Sequence, residues 1–211
     1  MKKLIISKIA LLFIAINCNA QTSKNENNMV ERLDIERLER DAEKTVYADG
    51  GIFYYLEYKE EDGTMVTIKG DKRDKGYGFT EKRIPKNNPY YWNYKEYYPT
   101  GIIKKTGNCF GDAAIELWHS FDEQGNLIKT EDEDKKFGEF KHKDILNFLI
   151  ENNYVEKDTY KSIFDIYIFF SIEDLTWHIR ATSSTYKIND YILDGNTGEV
   201  KEHKVRQGGI M

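Results

Sequence analysis

The amino-acid sequence predicts an α+β protein: a sheet of antiparallel β-hairpin repeats, followed by a small module with one helix on an antiparallel sheet. Three observations carry that prediction. Tyrosine and phenylalanine are abundant, 15 and 11 in 211 residues against 3 prolines, and they alternate with Lys and Glu as strands with one dry face require. A segment in the middle of the chain repeats itself after 24 residues, from Gly101 to Gly125. Beyond it, one stretch has helical spacing and is followed by apolar runs of strand length.

Residues 1–20 have the layout of a signal peptide. Lys2, Lys3 and Lys8 supply positive charge, Leu4 to Ile16 is almost wholly apolar, and Asn17 to Ala20 is a short polar exit. The apolar run falls short of the roughly 20 residues that a permanent spanning helix needs. Two exits are open. A peptidase cut after Ala20 reads Cys18-Asn19-Ala20 as the small-x-small site. Alternatively, Cys18 becomes the lipidated first residue of a lipoprotein, with Ala15-Ile16-Asn17 as a loose lipobox in which Asn17 replaces the usual small residue. Either start places the chain in the periplasm or on the outer membrane, with full secretion the weaker option.

Loss of the signal removes three lysines and no acid, taking the formal charge from −5 to −8. That balance argues against a nucleic-acid partner, whose phosphates demand a basic face. With Cys18 cleaved away or acylated, Cys109 is alone and no internal disulfide forms. A lone cysteine reads as a small buried hydrophobe.

Residues 21–47 read as a flexible leader, 21 to 28, and then a charged stretch from Met29 to Lys44 with a short amphipathic helix, whose apolar positions are Leu33, Ile35, Leu38, Ala42 and Val46. Residues 48–138 read as the hairpin region. Gly50-Gly51 opens a strand from Ile52 to Tyr58, Asp62-Gly63 makes a tight turn, and Met65 to Ile68 returns. Gly70 to Gly78 is a polar connection. Aligning Gly101 with Gly125 then sets Tyr94 on Trp118, Tyr97 on Phe121, Ile103 on Leu127, Lys105 on Lys129 and Thr106 on Thr130. Each unit is an aromatic strand, a turn closed by glycine and a returning strand. A single hairpin cannot bury its aromatic face, so the two units must lie side by side and share one. Tyr94, Tyr97, Gly101, Trp118, Phe121 and Gly125 form the core of that repeat.

Residues 139–205 read as the helix-on-sheet module. Lys143 to Asn152 holds Ile145, Leu146, Phe148, Leu149 and Ile150 at helical spacing. Strands follow at Ile163–Phe170, Leu175–Ala181 and Tyr186–Leu193, and the turn Asp194 to Gly198 restarts a short strand at Val200. The chain beyond His203, with 206–211 at its end, reads as a charged, loose tail.

The stretches Tyr94-Lys95-Glu96-Tyr97-Tyr98-Pro99-Thr100-Gly101 and Trp118-His119-Ser120-Phe121-Asp122-Glu123-Gln124-Gly125-Asn126-Leu127 resemble MORN-type repeats and related repeats of secreted, antitoxin-like proteins of the Bacteroidota. The second unit follows the Trp-x-x-Phe/Tyr-Asp-x-x-Gly-x-Leu pattern. The first departs from it, with Tyr94 in place of Trp and Ile102 where a polar residue is usual. Trp177-His178-Ile179 and Tyr191 to Val200 make the C-terminal segment similar to PepSY-type modules. These resemblances imply a scaffold that binds or restrains other proteins without catalytic residues. Some MORN-like relatives sit beside toxins as immunity factors, which adds a toxin to the partners the resemblance implies.

Individual residues point to no cofactor and no metal. Zinc needs three or four converging ligands, usually with a close-spaced pair, and His119, His142, His178 and His203 are scattered. The acidic run Glu131 to Asp134 lacks the ligand pattern of a calcium loop. Ser120 and His119 are neighbours on a strand, so they face opposite ways and cannot act as nucleophile and base. The aromatic cluster Tyr90 to Tyr94, with Tyr97 and Tyr98, has two readings. The first is a strand with one face in the core. The sharper functional expectation is Tyr91, Trp92, Tyr97 and Tyr98 as outward anchors for a partner. Three functions follow. They are a non-catalytic exported envelope protein that binds another protein through an aromatic β surface, an immunity protein against an antibacterial toxin, and a cell-wall or glycan hydrolase. The first is preferred, because the catalytic carboxylate pair that the third needs is singled out by nothing in the chain.

Overall fold

The computed structural model describes residues 30–72 and 78–208. The expected signal sequence, Cys18 and the leader through residue 28 lie outside them. Twelve strands and two α-helices make up the described chain, in two antiparallel sheets. The large sheet runs in chain order through β1 (Glu43–Val46), β2 (Ile52–Lys59), β3 (Met65–Lys72), β4 (Phe79–Ile84), β5 (Tyr91–Tyr97), β6 (Ile103–Phe110), β7 (Ala113–Phe121) and β8 (Leu127–Asp132). The small sheet has the order β12 (Val200–Gln207), β11 (Lys187–Asp194), β10 (Thr176–Thr182), β9 (Asp165–Ser171). Helix α1 (Ile35–Asp41) precedes the large sheet, and α2 (His142–Glu151) joins the two.

Side chains alternate across each strand, and one face of the large sheet carries both cores. Under α1, Leu33 and Leu38 lie on Tyr54, Leu56, Val66, Ile68, Phe79 and Tyr97. The helix starts where the Asp34 carboxylate accepts the Arg37 N–H at 2.9 Å, satisfying one of its free N-terminal donors. Farther along the same face, Phe110, Ala113 and Ile115 merge with α2 (Ile145, Leu146, Leu149) and with the small sheet (Ile168, Trp177, Ile179, Leu193) in one cluster. Trp177 sits at its centre, fully buried, stacked on Phe137 at 4.9 Å and donating its indole N–H to the Phe140 carbonyl at 2.9 Å. The large sheet is further tied to α2 by Tyr91 and His142, 3.0 Å from hydroxyl to Nδ1, and to the small sheet by Asp112 N–H to the Ile168 carbonyl, 2.9 Å.

The two aligned hairpins are neighbours, β5–β6 and β7–β8, joined by β6–β7 pairing. Their turns share one geometry. Tyr98 N–H bonds the Ile102 carbonyl at 2.8 Å and Gly101 N–H the Tyr98 carbonyl at 2.8 Å; Asp122 and Gly125 repeat this at 3.0 and 2.9 Å. Gly101 and Gly125 have φ of +81° and +82°, a conformation that costs a side-chain-bearing residue roughly 1–2 kcal/mol. Each turn is preceded by the same register shift, between Glu96 and Tyr97 and between Ser120 and Phe121. Residues 30–33 cross both hairpin tips, with Leu33 N–H bonding the Gly101 carbonyl at 2.8 Å.

Several elements differ from the sequence reading. The helix is seven residues long, and Glu43–Val46 leaves it to pair with β2 as an edge strand. β3 continues to Lys72, and Phe79–Ile84, read as part of no element, is a central strand. The loose tail expected beyond His203 is corrected: β12 stays paired with β11 through Gln207, opposite Lys187. Its side chains are charged and mostly exposed, but main-chain pairing asks nothing of side-chain polarity. His203 also stacks on Tyr191 at 4.0 Å, and Arg206 reaches Asp190 at 2.9 Å.

Candidate binding surface

On β5, Tyr91, Asn93, Lys95 and Tyr97 turn to the packed face, so Trp92 and Tyr94 turn to the other. There they meet Trp118 of β7. The Tyr94 and Trp118 rings stack at 5.5 Å and 26°, and Trp92 meets Tyr94 edge-on at 6.3 Å. None of the three belongs to the apolar clusters under the helices, but Trp118 is itself buried, 7% exposed, while Trp92 and Tyr94 are half-buried. The row runs along one open face with neither helix over it.

The rings are held rigidly. Trp92 donates its indole N–H to the Gly111 carbonyl at 2.8 Å, and Trp118 donates to the Asn108 and Ile115 carbonyls, both at 3.1 Å. Trp118 lies flat across β6 at Gly107, where an added Cβ would come within 2.2 Å of the indole. A cation covers each end of the row: Lys82 Nζ sits 4.3 Å from the Trp92 centroid and Lys105 Nζ 4.8 Å from that of Trp118, within the range of cation–π attraction. Burial, helped by the nearby Glu96, pushes the Tyr94 hydroxyl above its ordinary pKa, so it stays a neutral donor. Cys109, paired with Trp92 across β5 and β6, is buried and its thiol is pushed up to about 12, which keeps it protonated and a poor nucleophile.

Of the four anchors expected from sequence, Trp92 is on this face. Tyr91 is half-buried at the junction of the two sheets, its hydroxyl pushed up to about 12 by burial. Tyr97 is 2% exposed under α1 and offers no surface to a partner. Tyr98 is half-buried at a hairpin tip, donating to the Phe121 carbonyl at 2.9 Å. Of the repeat residues, Tyr94 and Trp118 stack on the open face, Tyr94 half-buried and Trp118 buried, while Tyr97 and Phe121 pack with the cluster under α1. The sequence reading missed Lys82, Lys105 and Gly107. A glycine inside a strand marks a close approach, and Gly107 opposite Tyr94 was that signal.

Other polar clusters are satisfied internally. Buried Glu81 accepts from Arg83 at 3.2 Å and from the Tyr97 hydroxyl at 3.4 Å, with Lys95 Nζ at 4.0 Å. Arg83 also pairs with Glu60, and Lys95 with Glu31, which ties residues 30–33 to the sheet. His119 contacts Thr130 at 3.1 Å, and His178 stacks on Phe169 at 4.4 Å. Among the described residues, no three His, Cys, Asp or Glu side chains are grouped to hold a metal, and no helix is long and apolar enough to cross a membrane. No protein-family model, curated protein or solved structure matches the chain.

Proposed function

We propose that the protein is a non-catalytic binding protein, exported to the cell envelope, that holds a protein partner on the open face of its large sheet. The observation that carries this is the Trp92–Tyr94–Trp118 row with Lys82 and Lys105 at its ends. Trp and Tyr dominate binding hot spots. Here the indole N–H groups of Trp92 and Trp118 are already bonded to the backbone, and buried Trp118 braces Tyr94 from one side, so Trp92 and Tyr94 have little side-chain freedom left to lose on association. Export rests on residues 1–20, with Cys18 as a lipid anchor or Ala20 as the cleavage point. Kinship with MORN-like repeats is supported by the recurring turn and register shift, and kinship with PepSY-like modules by a helix followed by a four-stranded meander.

The test places a photo-reactive phenylalanine analogue at position 94 in the native envelope, with Ser184 in an exposed turn of the small sheet as the control position. One dominant cross-linked protein is expected from position 94, absent from 184 and lost when Lys105→Glu is added. Equal cross-linking from both positions, or none from 94, contradicts the reading.

A further inference from the structure

At one end of the open face the two sheets meet in a cleft of about 530 Å³. Its walls come from β4, the loops before β5 and β9, and the β6–β7 turn. Lys82, Lys86 and Lys161 line it, and none of them makes an ion pair among the described residues. One carboxylate lines it, Asp112, whose proximity holds the Tyr167 phenol above its ordinary pKa. The cleft is thus locally cationic in a chain whose formal charge is −5. Unneutralised lysines of this kind select an anion.

The back of the cleft is the edge of a sheet. β9 is the outermost strand of its sheet, and β10 is the strand it pairs with among the described residues. The Ile168 carbonyl turns outward and accepts the Asp112 N–H at 2.9 Å. In an antiparallel strand, residues two apart turn their main-chain groups the same way, so Ile166, inside the cleft, offers its N–H and C=O outward. No strand lies beyond it among the described residues. An exposed edge of this kind is a template for an extended peptide.

We propose that this cleft binds an extended acidic peptide segment of a partner protein, which adds to β9 beside Ile166 and sets its carboxylates against Lys82, Lys86 and Lys161. The proposal rests on the reading that the open face holds a protein, and it names the chemistry of what enters at that face's end. Flexible lysine ammonium groups, unlike the fixed fork of arginine, accept carboxylates at variable spacing, as a main-chain-docked strand requires. A sugar chain fits less well. Trp92, the largest ring in the cleft, carries Lys82 on its face and has spent its N–H on Gly111.

Random 12-residue peptides displayed on phage are selected on the full chain, and the enriched sequences are synthesised and titrated. Enriched peptides carry Asp or Glu at alternate positions. They bind at least tenfold more weakly to the Lys82→Glu/Lys86→Glu/Lys161→Glu protein, less weakly to the corresponding Lys→Gln triple, and unchanged to Lys187→Glu. Bound peptide slows hydrogen exchange at the Ile166 amide. Enrichment without acidic residues, undiminished binding to the triple variants, an unprotected Ile166 amide, or binding of polygalacturonate in place of peptides overturns the proposal. If no acidic peptide binds while the position-94 cross-link persists, the cleft proposal falls and the open-face reading stands. If the cross-link also fails, both fall.

Discussion

On the packed face of β5 to β7, Tyr91, Phe110 and Ile115 are clasped by α2 and the small sheet, with Trp177 wedged against Phe110 at 6.2 Å. On the opposite face of the same strands, which no helix covers, lie Trp92 and Tyr94, half-buried, and Trp118, buried against Tyr94 and Gly107. The residue types are the same on both sides. Parity along the strand and the element opposite decide which rings become core and which become surface. A slip of one residue would exchange the two sets, and the recurring register shifts before Gly101 and Gly125 help to fix which is which. Aromatic content therefore reports a sheet, while the side that is free to bind is set by where α1 and α2 come to rest.

The largest expected effect breaks the packed side. Trp177→Ala removes a fully buried indole in contact with Phe110, Phe137 and Phe170 and should cost about 3–5 kcal/mol in urea unfolding. A loss under about 1 kcal/mol would mean that this cluster does not hold the sheets together. Next comes the open side. Gly107→Ala forces a methyl against Trp118 and should cost about 1–3 kcal/mol, with a changed near-ultraviolet circular dichroism signal from the displaced indole. An unaltered aromatic signal would show that the row is not seated as described.

Tyr91→Phe sharpens the comparison at the junction by deleting only the hydroxyl that meets His142. About 1 kcal/mol of stability should go with it, read as a lower thermal midpoint. The smallest effect is on pH dependence. Burial depresses the pKa of His142, and likewise of His178. The unfolded chain takes up these protons near pH 6.5 while the folded chain resists. Stability is therefore full above about 6.5 and is lost as the pH falls toward the depressed folded values. His142→Gln should flatten that decline in unfolding titrations without abolishing it, since His178 remains; an unchanged slope would contradict the assignment.

Much of this fold was legible because the signals were local. The glycines at 101 and 125 stand where the backbone must turn left-handed, the helix read at Lys143–Asn152 lies at His142–Glu151, and the three strands before Asp194 fall within two residues of their expected bounds. Elements held by main-chain pairing left little trace. β1 is Glu-Lys-Thr-Val with every residue exposed, β4 hides three ionisable residues among six, and β12 is charged throughout its middle. The candidate surface was half legible. That aromatic residues would alternate across β5 followed from its sequence, but which parity faced outward depended on α2, some 50 residues on. Lys82 joins Trp92 only through strand pairing between β4 and β5.

The most direct test compares the two faces for the partner that position 94 captures. Partner affinity is measured for Tyr94→Ala/Lys105→Ala and for Tyr91→Phe, each referred to its folded fraction. The account predicts at least a tenfold loss for the outer pair beyond what its lower folded fraction explains, and unaltered affinity for Tyr91→Phe despite its lower stability. Equal affinities for the outer pair and the parent protein, or a loss confined to Tyr91→Phe, would contradict it.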